Sequence, residues 1–460
     1  MSGNSSVFRS IFRNVSLLTV GRILSALCSF VHTAFAVRAL GLADFGLLIL
    51  IHSLAMTGST LSRLQTWQTL IRFGSDAFFN KDADRLNRVT SFCVRLDTMS
   101  AGAAFVFSLV AVQIYAGIAH WTPHTRLLAT LYACVAPFMY TGWAQGVLRM
   151  ASRFHYVPIT EGLTALGKMI GVLLAYALHL SLGWFLLIWA ASILFDHAFY
   201  SRVALSILKK RIGFRYLHAF RNWQWAGDGM WSFTRAVSAN QTLGNASAPI
   251  ATLLVGKGLG AAEAAVFRVC RQIASGIVTP AQLISPVLYP ELVKMRDRQD
   301  WDGLKKVTLR IFAILTALSA LLLFLTGTVG SKIFRYMLDV HVSHTSFYIT
   351  IMLLAAIFSL LIVPLEPLLI VAGHLKLLVR SRILVTLLYF PAVYFLTLRF
   401  HLTGACLATA AASIAIFLTC LVGTRRFARK VRVLKKQAAS GQPGADSPSD
   451  KAKATDKDRG

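Results

Sequence analysis

The sequence predicts an all-α, polytopic membrane protein with about twelve spans, each near the ~20 residues that cross a bilayer. Three observations carry this. Of 460 residues, 56% are hydrophobic and only 14% charged, whereas soluble domains carry about 25% charged residues. The apolar residues gather into long runs, and the mean hydropathy is +0.61. The 47 Lys and Arg residues, which set a net charge of +28, fall in short clusters between those runs rather than on one basic face, which argues against a nucleic-acid partner.

Spans are expected near residues 15–37, 45–70, 90–118, 127–148, 159–180, 184–206, 230–255, 266–289, 308–329, 347–371, 381–399 and 403–423. The first run exceeds the apolar core of a cleavable signal and lacks a small-residue cleavage pattern, so it is expected to be retained as a span. The basic clusters sit on alternate connections: the N-tail, residues 72–88, Arg149 and Arg153, residues 202–221, 294–306 and 376–382, and the tail from Arg425. The positive-inside bias then places both termini in the cytoplasm. The opposite connections are too short for an outer domain. Between spans 6 and 7, Lys209-Lys210-Arg211-Ile212-Gly213-Phe214-Arg215-Tyr216 runs on to Trp223 and Trp225. This mixture suits a helix lying on an anionic leaflet. After Lys436 the composition is that of a disordered tail.

A short internal repeat suggests two lobes, since Leu40-Gly41-Leu42-Ala43-Asp44 after span 1 is echoed by Leu259-Gly260-Ala261-Ala262-Glu263 after span 7. Repeats related by an axis along the membrane normal are a recurrent transporter plan, with cargo handled between the lobes. The chain accordingly divides into an N-terminal lobe (1–206), a basic amphipathic connector (207–229), a C-terminal lobe (230–424) and a cytoplasmic tail (425–460). The six cysteines, Cys28, Cys93, Cys134, Cys270, Cys406 and Cys420, stand singly. They read as small hydrophobes, with neither disulfide nor metal site expected. No nucleotide-binding loop or HExxH motif is present, so no cofactor is expected.

The chemistry lies in charges placed where lipid disfavours them. Arg22, Arg63, Arg95, Arg235, Arg268 and Arg271 sit within or at the ends of apolar runs, where an ionised group costs at least ~2.5–3.5 kcal/mol and must face a bundle interior or a wet cavity. Helical spacing turns some of them into polar stripes. These are Arg22, Ser25, Ala26, Ser29 and Thr33 on span 1, and His52, Met56, Ser59, Arg63 and Trp67 with neighbouring Gln68 on span 2. In the second half, Arg235, Ser238, Thr242, Asn245 and Pro249 align on span 7, and Arg268 and Arg271 lead into Gln272, Ser275, Thr279 and Gln282 on span 8. Such stripes facing one another would line a cavity with guanidinium groups, hydroxyls and amides. A guanidinium grips phosphate oxygens bidentately and keeps its charge. The alternative is a side chain that snorkels to the interface, which suits Arg63, Arg95 and Arg310 near span ends. Among acidic groups, Asp97, Glu161 with Lys168, and Asp196 are candidates for coupling to a cation or proton; they serve equally to neutralise cationic neighbours.

The chain resembles the polysaccharide-export flippases, of O-antigen or Wzx type, in the multidrug/oligosaccharidyl-lipid/polysaccharide exporter superfamily. The resemblance is carried by Gly21-Arg22, Val37-Arg38-Ala39-Leu40-Gly41-Leu42-Ala43-Asp44-Phe45-Gly46, Thr66-Trp67-Gln68, Ile71-Arg72-Phe73-Gly74, Gly146-Val147-Leu148-Arg149-Met150-Ala151-Ser152-Arg153-Phe154 and Ala372-Gly373-His374. It implies two six-helix lobes around a cavity opening alternately to each side of a bacterial inner membrane. The implied cargo is an undecaprenyl-diphosphate-linked oligosaccharide. Cavity arginines would hold its diphosphate, at Arg22, Arg63, Arg235 and Arg271. Arg268, Trp67 and Gln68 complete the expected binding set. Partners implied are membrane lipids and the polysaccharide polymerase and chain-length machinery. Two rivals stand beside this reading. A cation-coupled multidrug exporter would need a cavity rich in carboxylates and aromatics. A membrane polymerase or ligase would need a sizeable outer loop.

Overall fold

The computed structural model describes residues 3–153, 155–214, 216, 218–221, 229–282, 300–325, 345–371 and 375–439, with isolated positions between 288 and 298, and its side chains from Leu24 onward. The described chain is all-helical. The elements are α1 (Gly3–Ser62), α2 (Thr66–Phe79), α3 (Ala83–Ile118), α4 (Pro123–Ala133), a 3-10 turn (Ala136–Met139), α5 (Gly142–Met150), α6 (Tyr156–Ala177), α7 (Leu182–Ile212), α8 (His218–Arg221), α9 (Met230–Leu259), α10 (Ala261–Gln282), α11 (Trp301–Leu325), α12 (Thr345–Val371) and α13 (Leu375–Ala439). Six of them are long and apolar enough to cross a membrane, and α4 to α5, bent by 49°, form a further candidate. Leu387, Phe395 and Phe324 are 63%, 64% and 69% exposed, as expected of side chains that face lipid rather than water.

Each predicted span coincides with helix over most of its described residues, the ends at 283–287, 289 and 326–329 lying outside the described residues, and the boundaries carry the corrections. Spans 1 and 2 are one run, α1, turned at Gly41 (φ 74, ψ 170). Spans 11 and 12 are likewise joined as α13, interrupted at Phe400 and His401. Span 2 was expected to continue to residue 70, but the helix stops at Ser62 and restarts as α2 at Thr66. The stripe His52 to Trp67 is therefore divided between two helices. Span 4 also breaks, at the 3-10 turn with Pro137 in its first positions.

Local chemistry explains the ends. Asp82 caps α3 by accepting the Arg85 N–H at 2.9 Å, and Thr122 caps α4 ahead of Pro123, accepting from Thr125 at 3.2 Å. The helix α7 carries Lys209, Lys210 and Arg211 in its last turn and stops at left-handed Gly213, matching cations to the negative helix end and glycine to the stop. The repeat is visible in the backbone as well. Gly260 (φ 110, ψ 178) repeats the conformation of Gly41, in a region that essentially only glycine visits. Asp44 and Glu263 follow each glycine by three residues, placing a carboxylate in the first turn of the next helix.

The main core joins the Gly41 turn, α6 and α7 to α9, α10, α12 and α13. Helix α1 packs against α6, α9 and α10. The turns themselves touch: the backbone of Ala261 occupies the place where a Cβ on Gly46 would stand. Of the expected connector helix, the described residues pack on protein. Phe214 and Ala219 are buried, Phe214 within the core that contains Trp143 and Leu148, and the Tyr216 hydroxyl lies 3.0 Å from that of Thr98. Trp223, Trp225, Ala372-Gly373-His374 and the tail beyond residue 439 lie outside the described residues.

Candidate functional site

Two of the predicted polar stripes meet. The Gln272 amide on α10 donates to the Ser29 carbonyl at 3.2 Å, to the Ser29 hydroxyl at 3.0 Å and to the Thr33 hydroxyl at 3.3 Å. Thr33 returns a bond to Gln272 Oε1 at 3.4 Å. Beside this bridge, Arg271 donates from Nη1 to the Ala248 carbonyl of α9 at 3.2 Å. A carbonyl is a weak partner for a permanent cation, so Arg271 brings charge into the α1–α9–α10 contact without neutralising it.

One helix layer away, a basic centre forms around Lys168. Its Nζ lies 4.7 Å from the centroid of the Trp189 ring on α7. His32 meets the same indole edge-on, centroids 5.4 Å apart, and donates from Nδ1 to the Cys28 carbonyl at 3.0 Å. His52 Nδ1 and the Tyr132 hydroxyl of α4 are 2.8 Å apart. Asp196 of α7 accepts the Thr164 hydroxyl of α6.

A second group of predicted residues lies where α1 ends. Arg63 stacks over Tyr140 at 5.3 Å, and its Nε is buried without a hydrogen-bond partner. Trp67 donates from Nε1 to Gln65 Oε1 at 2.8 Å, and the Arg149 guanidinium covers its ring at 3.9 Å. Asp97 organises this group: one carboxylate oxygen accepts the Thr66 hydroxyl and the other the Trp143 N–H, both at 2.6 Å. It therefore binds the start of α2 and caps α5. Gln68 is half-buried on α2, Glu161 is half-buried on α6 and has an interacting partner, and Arg95 is buried on α3. Arg235 is exposed and stacks on Trp231 at 5.5 Å, so α9 does not turn it toward Ser238, which faces α2. The Arg22 side chain lies outside the described residues, as do those of Thr279 and Gln282.

The structure therefore sets Lys168 against Trp189, joins Asp196 to Thr164 and Arg271 to the Ala248 carbonyl, and separately gathers Arg63, Trp67 and Asp97 around Thr66 and Tyr140. Sequence reading missed Tyr132, Trp189 and Tyr140. Each is an aromatic in an apolar run, with the same pattern as a core residue; only proximity to a cation marks it.

No protein-family model matches the chain. An inner membrane protein of Escherichia coli (strain K12), YghQ, is 27% identical over 322 residues, covering 68% of this chain and 90% of that protein. Among solved structures, the lipid II flippase MurJ in an inward closed conformation matches with TM-score 0.62 and 14% identity, over 91% of this chain and 90% of that one. An inward-facing multidrug resistance MATE family transporter of the MOP superfamily matches with TM-score 0.59 and 14% identity, over 92% and 95%. A MOP superfamily transporter from Pyrococcus furiosus matches with TM-score 0.58 and 13% identity, over 92% and 96%. Over nine-tenths of its length, then, this chain has the all-helical fold of the MOP superfamily transporters.

Proposed function

We propose that this protein is a flippase that moves an undecaprenyl-diphosphate-linked oligosaccharide from the inner to the outer leaflet of a bacterial inner membrane, for surface polysaccharide synthesis. The observation that carries the reading is Arg271, whose guanidinium meets the Ala248 carbonyl beside the hydroxyl and amide bridge of Ser29, Thr33 and Gln272. A diphosphate entering a lipid-like interior unpaired would lose tens of kcal/mol of solvation on a Born estimate. Guanidinium groups replace that solvation, and the neutral donors suit a glycan. The fold shared with a lipid II flippase and the similarity to an inner membrane protein support the class and the location.

In this mechanism the prenyl tail stays in lipid while the head group enters between the two repeats. Their rocking exposes it to the other side. An inside-negative potential favours that direction, by ~2.3 kcal/mol per charge per 100 mV. Arg63, just past the end of α1, and Trp67, at the start of α2, act as the head group enters.

A cation-coupled drug exporter is the second reading, favoured by the MATE neighbour. It needs an accessible carboxylate. Here Asp97 is held by Thr66 and Trp143, Asp196 by Thr164, and Glu366 by Arg382 at 3.1 Å. The deciding experiment is complementation. In a strain deleted for the gene, Arg271→Ala should abolish surface glycan display at unchanged protein level. Undiminished display would remove Arg271 from the path, and display independent of the whole gene would end the assignment.

A further inference from the structure

The helix break at residues 63–65 finds its partner in the other half of the molecule. Were α1 continuous with α2, the Gln65 N–H would donate four residues back, to the Leu61 carbonyl. It donates instead to Ser238 Oγ of α9, at 2.9 Å. Ser238 and Thr234 turn their own protons onto α9, at the Thr234 and Met230 carbonyls, so each hydroxyl oxygen faces α2 as an acceptor. Thr69 donates to the second of them, at 2.7 Å. One turn further on, Arg72 covers the Phe233 ring at 4.4 Å, and Phe73 meets that ring edge-on with centroids 5.9 Å apart. Met230 completes the seam, buried in the core that holds Leu70 of α2 and Val147 of α5.

The halves close differently at the other end of α9. There the Ala261 backbone fills the Cβ position of Gly46, the Leu50 side chain fills that of Gly256, and the Tyr115 hydroxyl donates to the Leu253 carbonyl at 2.9 Å. That end is interlocked backbone and apolar surface. The α2–α9 seam is held largely by hydroxyl and amide donors, which water can serve in turn, so each bond given up there costs little net. Along α9 the Ala248 carbonyl that meets Arg271 stands ten residues from Ser238 and thirteen from Ala261. At 1.5 Å per residue the two closures are roughly 30–35 Å apart, the thickness of a bilayer core. Arg271 thus lies midway, with a closure at each end.

We propose that the α2–α9 seam is the latch that shuts the cargo passage at the end of the molecule carrying α2, and that residues 63–65 are its two-state element, broken when latched and helical when the halves part there. Because α2 packs chiefly on α3 and α5 of its own half, it leaves α9 when the halves separate. The Gln65 N–H then returns to the Leu61 carbonyl, and the regained helical bond offsets the one lost to Ser238. Both arrangements satisfy the same donor, which is what a bistable element requires. This deepens the flippase reading and rests on it, since it names how that same passage is closed.

The first arm of the test needs no cargo. Full-length protein in native membranes is treated with a maleimide, with Met230→Cys as the reporter thiol and native Cys420 as the reference, read by peptide mass spectrometry. Met230 is 7% exposed in the seam, and Cys420 is 1% exposed in a core of the second half alone. The reporter should label while Cys420 does not. Thr69→Val should speed that labelling about two- to tenfold, the effect of one hydrogen bond, with Cys420 still unmodified. Should thermal unfolding find Met230→Cys destabilised, Ser238→Cys, buried on the same side of α9, takes its place. A reporter as inert as Cys420, or a rate that Thr69→Val leaves unchanged, overturns the latch and leaves the flippase reading standing. In the second arm, the Thr69→Cys, Thr234→Cys pair is expressed in the deletion strain. Oxidation should halt further glycan display and a reductant should restore it, with wild type unaffected by the same treatment. Continued display by cross-linked protein overturns the latch as a closure of the passage. Labelling that behaves as expected in a strain whose display does not depend on the gene supports the latch and ends the flippase reading alone.

Discussion

Glycines at two positions show how single residues set this architecture, and they do so for different reasons. Gly41 has open space where a Cβ would go, so its constraint is conformational, a φ of 74 with extended ψ. Gly46 has ordinary helical backbone, and its constraint is spatial, because the Ala261 backbone fills the Cβ position. Gly41→Ala should cost about 1–3 kcal/mol as backbone strain. Gly46→Ala should cost about as much by forcing α1 and α10 apart. Thermal unfolding in detergent measures both, and relief by a smaller residue at Ala261, as Ala261→Gly, is not expected for either, since the obstruction at Gly46 is backbone. An unchanged midpoint for Gly46→Ala would show that the two turns do not touch. At this same scale the arginines divide. Arg271 and Arg268 are half-buried on α10, whereas Arg235, with the same sequence signature, is exposed on Trp231. Spacing cannot separate them, because the wet or packed side of α9 is decided by α2.

At the scale of the element, α2 is the piece that sequence reading merged into its neighbour. Nothing in residues 62–66 breaks a helix on composition: there is no glycine and no proline. The break is imposed by partners, as Asp97 takes the Thr66 hydroxyl and the Trp143 N–H, while Arg211 of α7 bonds the Phe78 carbonyl at the other end, at 2.8 Å from Nη2. Asp97→Ala strands two buried donors and should destabilise by about 1–3 kcal/mol for each. Asp97→Asn retains one acceptor and should fall between that variant and wild type. Chemical or thermal denaturation ranks the three, and an Asp97→Ala protein as stable as wild type would show that the carboxylate does not hold α2.

For the whole molecule, the halves meet at three levels. The turns touch at Gly46 and Ala261, Gln272 bridges to Ser29 and Thr33, and α2 meets α9 through neutral hydrogen bonds. In that last seam, the Gln65 N–H donates to Ser238 at 2.9 Å, and Thr69 and Thr234 are 2.7 Å apart. Thr234 spends its own proton on the Met230 carbonyl, so Thr69 is the donor. Thr234→Val leaves that donor buried and unpaired and should cost about 1–3 kcal/mol, whereas the Thr69→Val, Thr234→Val double variant should be nearly neutral. A double-mutant cycle reads the coupling; additive losses would mean that the two hydroxyls do not meet across the halves.

What the sequence determined by itself is what depends on composition and period: an all-helical chain with long apolar segments, the Gly41 and Gly260 turns, and the polar stripe on span 1 that meets span 8. Hydropathy and helical spacing are local properties, and they survive folding. The tertiary structure alone decided which partner each charge meets: Lys168 of α6 lies on Trp189 of α7, and Arg271 of α10 on the Ala248 carbonyl of α9. It also decided that α2 is separate, and that Asp97, by sequence a candidate for coupling, ends as the clamp between α2 and α5. Electrostatic and capping partners act over ångströms in space, and one-dimensional spacing carries no record of that distance.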